Sequence, residues 1–230
     1  MTPSSNILSS SRCTIPIAVL VAGLVGLVIA GAASLWFVLQ AAWADATSLS
    51  ARTTVTEWRG GTGPVVTPEL WDRTRSQLQV ALLTAPGNAQ LHDDLGYLYA
   101  SRSLGMGNVA IDSPDYGLQQ SLMDDAIAHY RAACALRPTF PYTWTYLALA
   151  KHYRGKHDEE FFTAYDNAVR FGHSEAALHG ALAEMTYSQW NRLGPQRQQS
   201  FAKMVATAKE SSRATMLEQA QRAGIQLPVP

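Results

Sequence analysis

The residues best able to do chemistry in this chain are its histidines, its paired carboxylates and a few tyrosines set among polar neighbours. Six histidines are present. No two of them stand at i, i+4 with a third ligand in reach: His152 and His157 straddle a turn signal, and His173 and His179 are six apart. That spacing offers no metal centre, so structural histidines are expected. The acidic pairs Asp93-Asp94, Asp124-Asp125 and Glu159-Glu160 read as solvated helix starts or faces rather than as acid–base or calcium sites. Gly105-Met106-Gly107 lacks both the following Lys-Ser or Lys-Thr and a preceding strand that a phosphate loop requires. No Gly-x-Ser-x-Gly, Cys-x-x-Cys or Cys-x-x-Cys-His occurs, which leaves hydrolase, thiol-redox and haem-attachment chemistry without support. A hydrolase built on Asp112 and Asp115 is the weakest reading. No enzyme, cofactor or metal is expected.

Binding chemistry is better supported, and it depends on the elements that carry it. Residues 88–99 read Asn-Ala-Gln-Leu-His-Asp-Asp-Leu-Gly-Tyr-Leu-Tyr, and Ala126, Tyr130, Ala133 and Pro138 follow at the spacings that complete a tetratricopeptide (TPR) repeat. A large residue, Leu-Gly and an aromatic line one helix, so that a second helix packs closely over the glycine and ends at the proline. The two halves are separated by about 18 residues more than the roughly 34 of a standard repeat allow. The surplus lies within 105–118, whose glycines and Pro114 predict a loop, with the partner helix beginning near Gln119. A second hairpin is marked by Pro141, Trp144, Leu147 and Ala148, then Phe161, Tyr165 and Ala168. Gly155 in its turn is suited to a left-handed conformation and Asp158 to capping the next helix. A third, degraded hairpin runs from about Ser174 to Leu193 and from Pro195 to Arg222, with a break near Ser211-Ser212. Ahead of these, Thr67-Pro68-Glu69 starts a helix over 68–84 that resembles the second half of a repeat whose first half is missing.

Repeats of this family expose particular first-helix positions on a groove. By that resemblance the candidate binding residues are Gln90, Asp93 and Tyr97 on one helix and Tyr142, Thr145 and His152 on the other. Tyrosines among polar groups suit a peptide or a sugar chain, and they suit packing between helices equally well.

From Ile15 to Leu39 the chain has 25 residues without a charge, more than the roughly 20 that cross a bilayer as a helix. A transmembrane anchor over 15–40 is expected, with Trp36 and Trp43 at an interface. Ala42-Trp43-Ala44 has the form of a signal-peptidase site, but the apolar stretch is far longer than a signal peptide's, which favours a retained anchor. Arg12 precedes the span and Asp45 follows it, placing residues 1–14 in the cytoplasm and the remainder outside, in a bacterial periplasm. Residues 41–66 read as a Thr-, Ser- and Gly-rich spacer, whose Ala, Leu and Arg allow it to begin as a continuation of the membrane helix until Gly60, Gly61 and Gly63 end it, 67–224 as the helical domain and 225–230 as a flexible tail. Of the two cysteines, Cys13 falls before the span and Cys134 on a predicted buried face, so no internal disulfide forms and Cys134 is a core residue. Eighteen basic and eighteen acidic side chains cancel, which argues against a nucleic-acid partner. The fold class is therefore all-α: an N-terminal membrane helix followed by about three degenerate TPR-like hairpins.

The stretch 143–197 carries a further likeness. Trp-Thr-Tyr-Leu-Ala-Leu-Ala-Lys, Phe171-Gly172 with Glu175, and Trp190 with Leu193, Pro195 and Arg197 resemble the VpsP family of exopolysaccharide-biosynthesis proteins. His173-Ser174 stands where that family carries Pro-Trp. The resemblance implies an accessory scaffold whose partners are proteins of a polysaccharide synthesis or export machinery, or the glycan. The alternative is a periplasmic chaperone of polypeptides, acting in cytochrome c maturation or inner-membrane quality control.

Overall fold

In the computed structural model of the chain, residues 17–228 are described. Arg12, Cys13 and the rest of the expected cytoplasmic segment lie outside them. The described residues form nine helices and no strand: α1 Ile17–Arg59, α2 Pro68–Thr84, α3 Ala89–Gly105, α4 Asp115–Leu136, α5 Pro141–Tyr153, α6 Glu159–Gly172, α7 Ala176–Ser188, α8 Trp190–Thr207 and α9 Glu210–Arg222. Two compact units result, Met1–Trp43 and Ala44–Pro230. The described part of the first is the apolar stretch of α1, with Leu24, Leu27, Trp36, Phe37 and Trp43 all exposed. Among the described helices α1 alone is long and apolar enough to cross a membrane, its most apolar window reaching a mean hydropathy of 2.4.

The second unit is an all-α, TPR-like solenoid. Helix α3 packs along α4 and α5 along α6, with α4 bridging the two hairpins. Two caps act as expected, the Thr67 hydroxyl accepting from the Leu70 amide and the Asp158 carboxylate from that of Phe161, and the structure adds a third, the Asn88 side chain accepting from the amides of Gln90 and Leu91. Gly155 takes φ +76° in the α5–α6 turn. Gly96 explains the close approach in the first hairpin, since a Cβ there would lie 2.7 Å from the buried ring of Tyr130. One continuous core runs from Leu78, Leu91, Leu95 and Leu98 through Leu147, Phe161 and Tyr165 to Leu182, Phe201 and Met216.

Two expectations change, whereas the spacer over 41–66 begins as a continuation of α1 as far as Arg59, immediately before Gly60 and Gly61. Its serines and threonines return hydrogen bonds to carbonyls four residues back, Ser48 to Ala44, Thr53 to Leu49, Thr54 to Ser50 and Thr56 to Arg52. Ala44, Ser48, Ala51 and Val55 form a buried stripe at 4-3-4 spacing. The partner helix of the split repeat begins at Asp115 rather than near Gln119, because Gln119 is a mid-helix anchor whose side-chain amide donates to the carbonyls of Gly107 (2.7 Å) and Ser103 (3.1 Å). In the third hairpin the chain breaks at Ala208-Lys209, both extended, ahead of Ser211. A second interruption comes at Gly194, where φ is +71° and Pro195 restarts the helix. Helix α7 packs mainly on α9.

Candidate functional site: the α3–α5 face

The side chains of α3 and α5 meet through a network centred on two adjacent carboxylates. Asp93 and Asp94 are each 2 % exposed, so the expected solvated face is instead an interior one. Asp93 accepts from Arg137 and, at 2.9 Å, from the Thr143 hydroxyl, while its backbone carbonyl accepts from Arg59 at 2.8 Å. Asp94 lies 3.2 Å from Arg59 and 3.8 Å from Arg52, and it accepts from the Gln90 amide at 2.9 Å. Burial still raises the Asp94 pKa above the ordinary carboxylate value, outweighing Arg59, Gln90 and Arg52. The physical reason for the correction is pairing: helix α1 brings Arg52 and Arg59 to α3, and these cations offset the cost of burying Asp94.

Aromatic rings flank the acids. The Arg59 guanidinium lies over Tyr97 at 4.9 Å and 6.0 Å from Tyr146, placing the end of α1 between α3 and α5. Tyr146 in turn meets Tyr130 and Tyr142. The Tyr142 hydroxyl donates to Glu175 at 3.1 Å. Nε of Arg59 and Nε of Arg137 are buried without a protein partner.

The structure therefore gathers Gln90, Asp93 and Tyr97 at one place and sets Tyr142 beside it through Tyr146. Thr145 is buried, its hydroxyl donating to the Pro141 carbonyl at 2.9 Å, which leaves it no free face. His152 belongs to another cluster: its Nδ1 is 3.0 Å from His157 Nε2, and its ring neighbours Phe161. Burial lowers the pKa of both histidines. A comparable pair joins α3 to α4, with His92 Nδ1 and His129 Nδ1 3.1 Å apart. Cys134 is buried and its thiol is pushed up to about 12 by that burial. Among the described residues no group of three or more His, Cys, Asp or Glu could hold a metal ion.

Sequence reasoning missed Arg52, Arg59, Arg137 and Thr143. Each meets Asp93, Asp94 or Tyr97 from another helix or a loop, and no local spacing announces such long-range pairs. As chemistry, the arrangement is a closed ion-pair network: two buried carboxylates are held by Arg52, Arg59 and Arg137, with the Arg59 guanidinium lying over Tyr97.

No protein-family model matches the chain, and no curated protein matches it. Among solved structures, the human IFIT1 dimer with m7Gppp-AAAA is similar over 76% of this chain at 16% identity, with a TM-score of 0.41. The chain spans about half the length of that one, 46% of it being covered.

Proposed function

We propose that this protein is a membrane-anchored interaction scaffold, held by α1 and acting through its TPR-like domain without catalysis. The observation that carries this reading is the α3–α5 face, where Asp93, Asp94, Tyr97 and Tyr146 receive the arginines of a helix. The acids themselves are occupied by the chain's own arginines, so a partner docks on the repeat helices outside this network. The resemblance of 143–197 to the VpsP family makes that partner a component of exopolysaccharide synthesis or export. The apolar stretch of α1 and the flanking charges support a bacterial inner-membrane protein with residues 1–14 cytoplasmic and the helical domain periplasmic.

Two measurements test this. The first is deletion of the gene, scored for secreted polysaccharide and for c-type cytochromes, with crosslinked capture of partners by the full-length membrane form. Loss of polysaccharide and capture of synthesis proteins is expected, while normal polysaccharide with lost cytochromes supports the chaperone alternative instead. For the topology, a reporter active only in the periplasm and fused after Thr67 should be active, and a silent fusion refutes the orientation.

A further inference from the structure

Beside the acid pair, the end of α1, the start of α2 and the second half of α3 enclose a cavity of about 420 Å3. Its size falls within the range of small-molecule sites, about 300–1,000 Å3. Trp58, Trp71 and Tyr97 supply its aromatic walls, and Val66, Gly105, Met106, Ser101 and Arg102 complete the lining.

The two indole walls are held in place by hydrogen bonds within the protein. The Trp58 indole N–H donates to the Pro64 carbonyl at 2.7 Å. The loop wraps this ring closely because residue 63 is glycine: a Cβ there would come within 2.6 Å of Trp58 Cδ1. The Trp71 indole N–H donates to the Leu98 carbonyl at 3.2 Å, and the ring meets Tyr99 edge-on at 5.9 Å. Both indole donors are thus committed within the protein. A ligand meets flat, polarisable surface, on which the apolar C–H face of a pyranose ring stacks well.

Charge narrows the ligand further. No acidic residue lines the cavity. Arg102 is exposed at its edge and has no ion-pair partner among the described residues, while Arg59 lies over Tyr97 and Arg75 lies 5.3 Å from the Trp71 ring. Arg59 and Arg75 are paired with Asp94 and Asp72, which leaves Arg102 as the unpaired cation at the cavity and favours an anionic ligand. The unpaired Arg102 fork matches one carboxylate, where a nucleotide's multiply charged phosphates call for a cluster of free cations. The Ser101 hydroxyl donates to the Leu98 carbonyl at 3.1 Å and keeps lone pairs for a sugar hydroxyl.

We infer that this cavity binds a short acidic oligosaccharide, its pyranose rings stacked on Trp58, Trp71 and Tyr97 and a uronate carboxylate held by Arg102. The choice of a glycan rests on the accessory role proposed above, to which the cavity adds a binding site of its own.

The test is a titration of the full-length chain in nanodiscs with tri-galacturonate and, separately, with neutral maltotriose, followed by tryptophan fluorescence and calorimetry. Saturable binding of the uronate with a tryptophan signal is expected, together with weaker binding of the neutral sugar. Arg102→Gln, at an exposed position, should weaken uronate binding about tenfold and remove the preference over the neutral sugar. Trp71→Phe keeps an apolar wall and should lower both affinity and signal. The proposal is overturned by a lack of saturation into the millimolar range, by uronate binding that Arg102→Gln leaves unchanged, or by displacement of the uronate by guanosine monophosphate. This outcome is separable from the cellular role. Lost polysaccharide without glycan binding keeps the role and removes the site, and glycan binding with normal polysaccharide keeps the site and removes the role.

Discussion

His129 stacks on Tyr99 at 5.6 Å with the rings nearly parallel, and its Nδ1 is 3.1 Å from that of His92. Burial first, and His92 second, push its pKa down to about 4 from 6.5. The unfolded chain therefore takes up this proton at a higher pH than the folded one. Stability is fully present above about 6.5 and is lost as pH falls towards 4. His92, His152 and His157, also lowered by burial, act in the same direction. Glu160, held at about 2 chiefly by Arg131, gives up its contribution only below 4.5, whereas Asp94 and Asp125, raised by burial, take up protons above the ordinary carboxylate range and act against the histidines. Urea unfolding from pH 6.5 down to 4.5 should show a falling free energy, with about 2 kcal/mol from His129 once its partial exposure is discounted. His129→Gln should make the slope shallower, and an unaltered slope would show that this ring is not the group titrating. None of this was legible in six scattered histidines, because the pairing of His92 with His129 is made by α3 lying along α4.

At the scale of elements, the informative case is the end of α1. Ser, Thr and Gly composition predicts a spacer over 41–66, and the glycines do stop the helix at Arg59. What composition hides is the stripe Ala44, Ser48, Ala51 and Val55, whose small residues give a weak apolar period yet are all buried. A charge on that stripe should strip the segment from the domain. Ala51, 1 % exposed, replaced by Glu is expected to speed amide hydrogen exchange over 44–59 while leaving α5 and α6 protected. Uniform protection in the variant would mean that the segment is not held by this face. By contrast, the α5–α6 hairpin was read almost completely from Pro141, Gly155 and Asp158, because its signals are local ones.

For the whole molecule, the unit Ala44–Pro230 includes a helical segment that a boundary drawn at the first repeat would discard. Its Arg52 and Arg59 are the cations nearest Asp94. A chain starting at Pro68 loses both of these cations, leaving the Asp94 carboxylate with Gln90 as its close partner, and loses the buried stripe Ala44, Ser48, Ala51 and Val55. Removing one side of a buried ion pair costs about 3–5 kcal/mol. Thermal melts should therefore place the Pro68 chain roughly 5–15 °C below one starting at Ala44. Equal melting temperatures would show that the α1 segment adds nothing to the fold.

The sequence by itself determined the all-α class, the apolar stretch of α1, the helix caps and the split repeat around Gly96 and Tyr130. These follow from interactions within a few residues, or from a spacing that one packed glycine imposes. Only the tertiary structure decided that Asp93 and Asp94 are interior, that Arg52 and Arg59 reach them, that Thr145 is closed off and His152 lies apart, and that Trp58 joins Trp71 and Tyr97 around one cavity. Those facts depend on which helix faces meet, and the faces are chosen by burial and charge pairing summed over residues far apart in the chain.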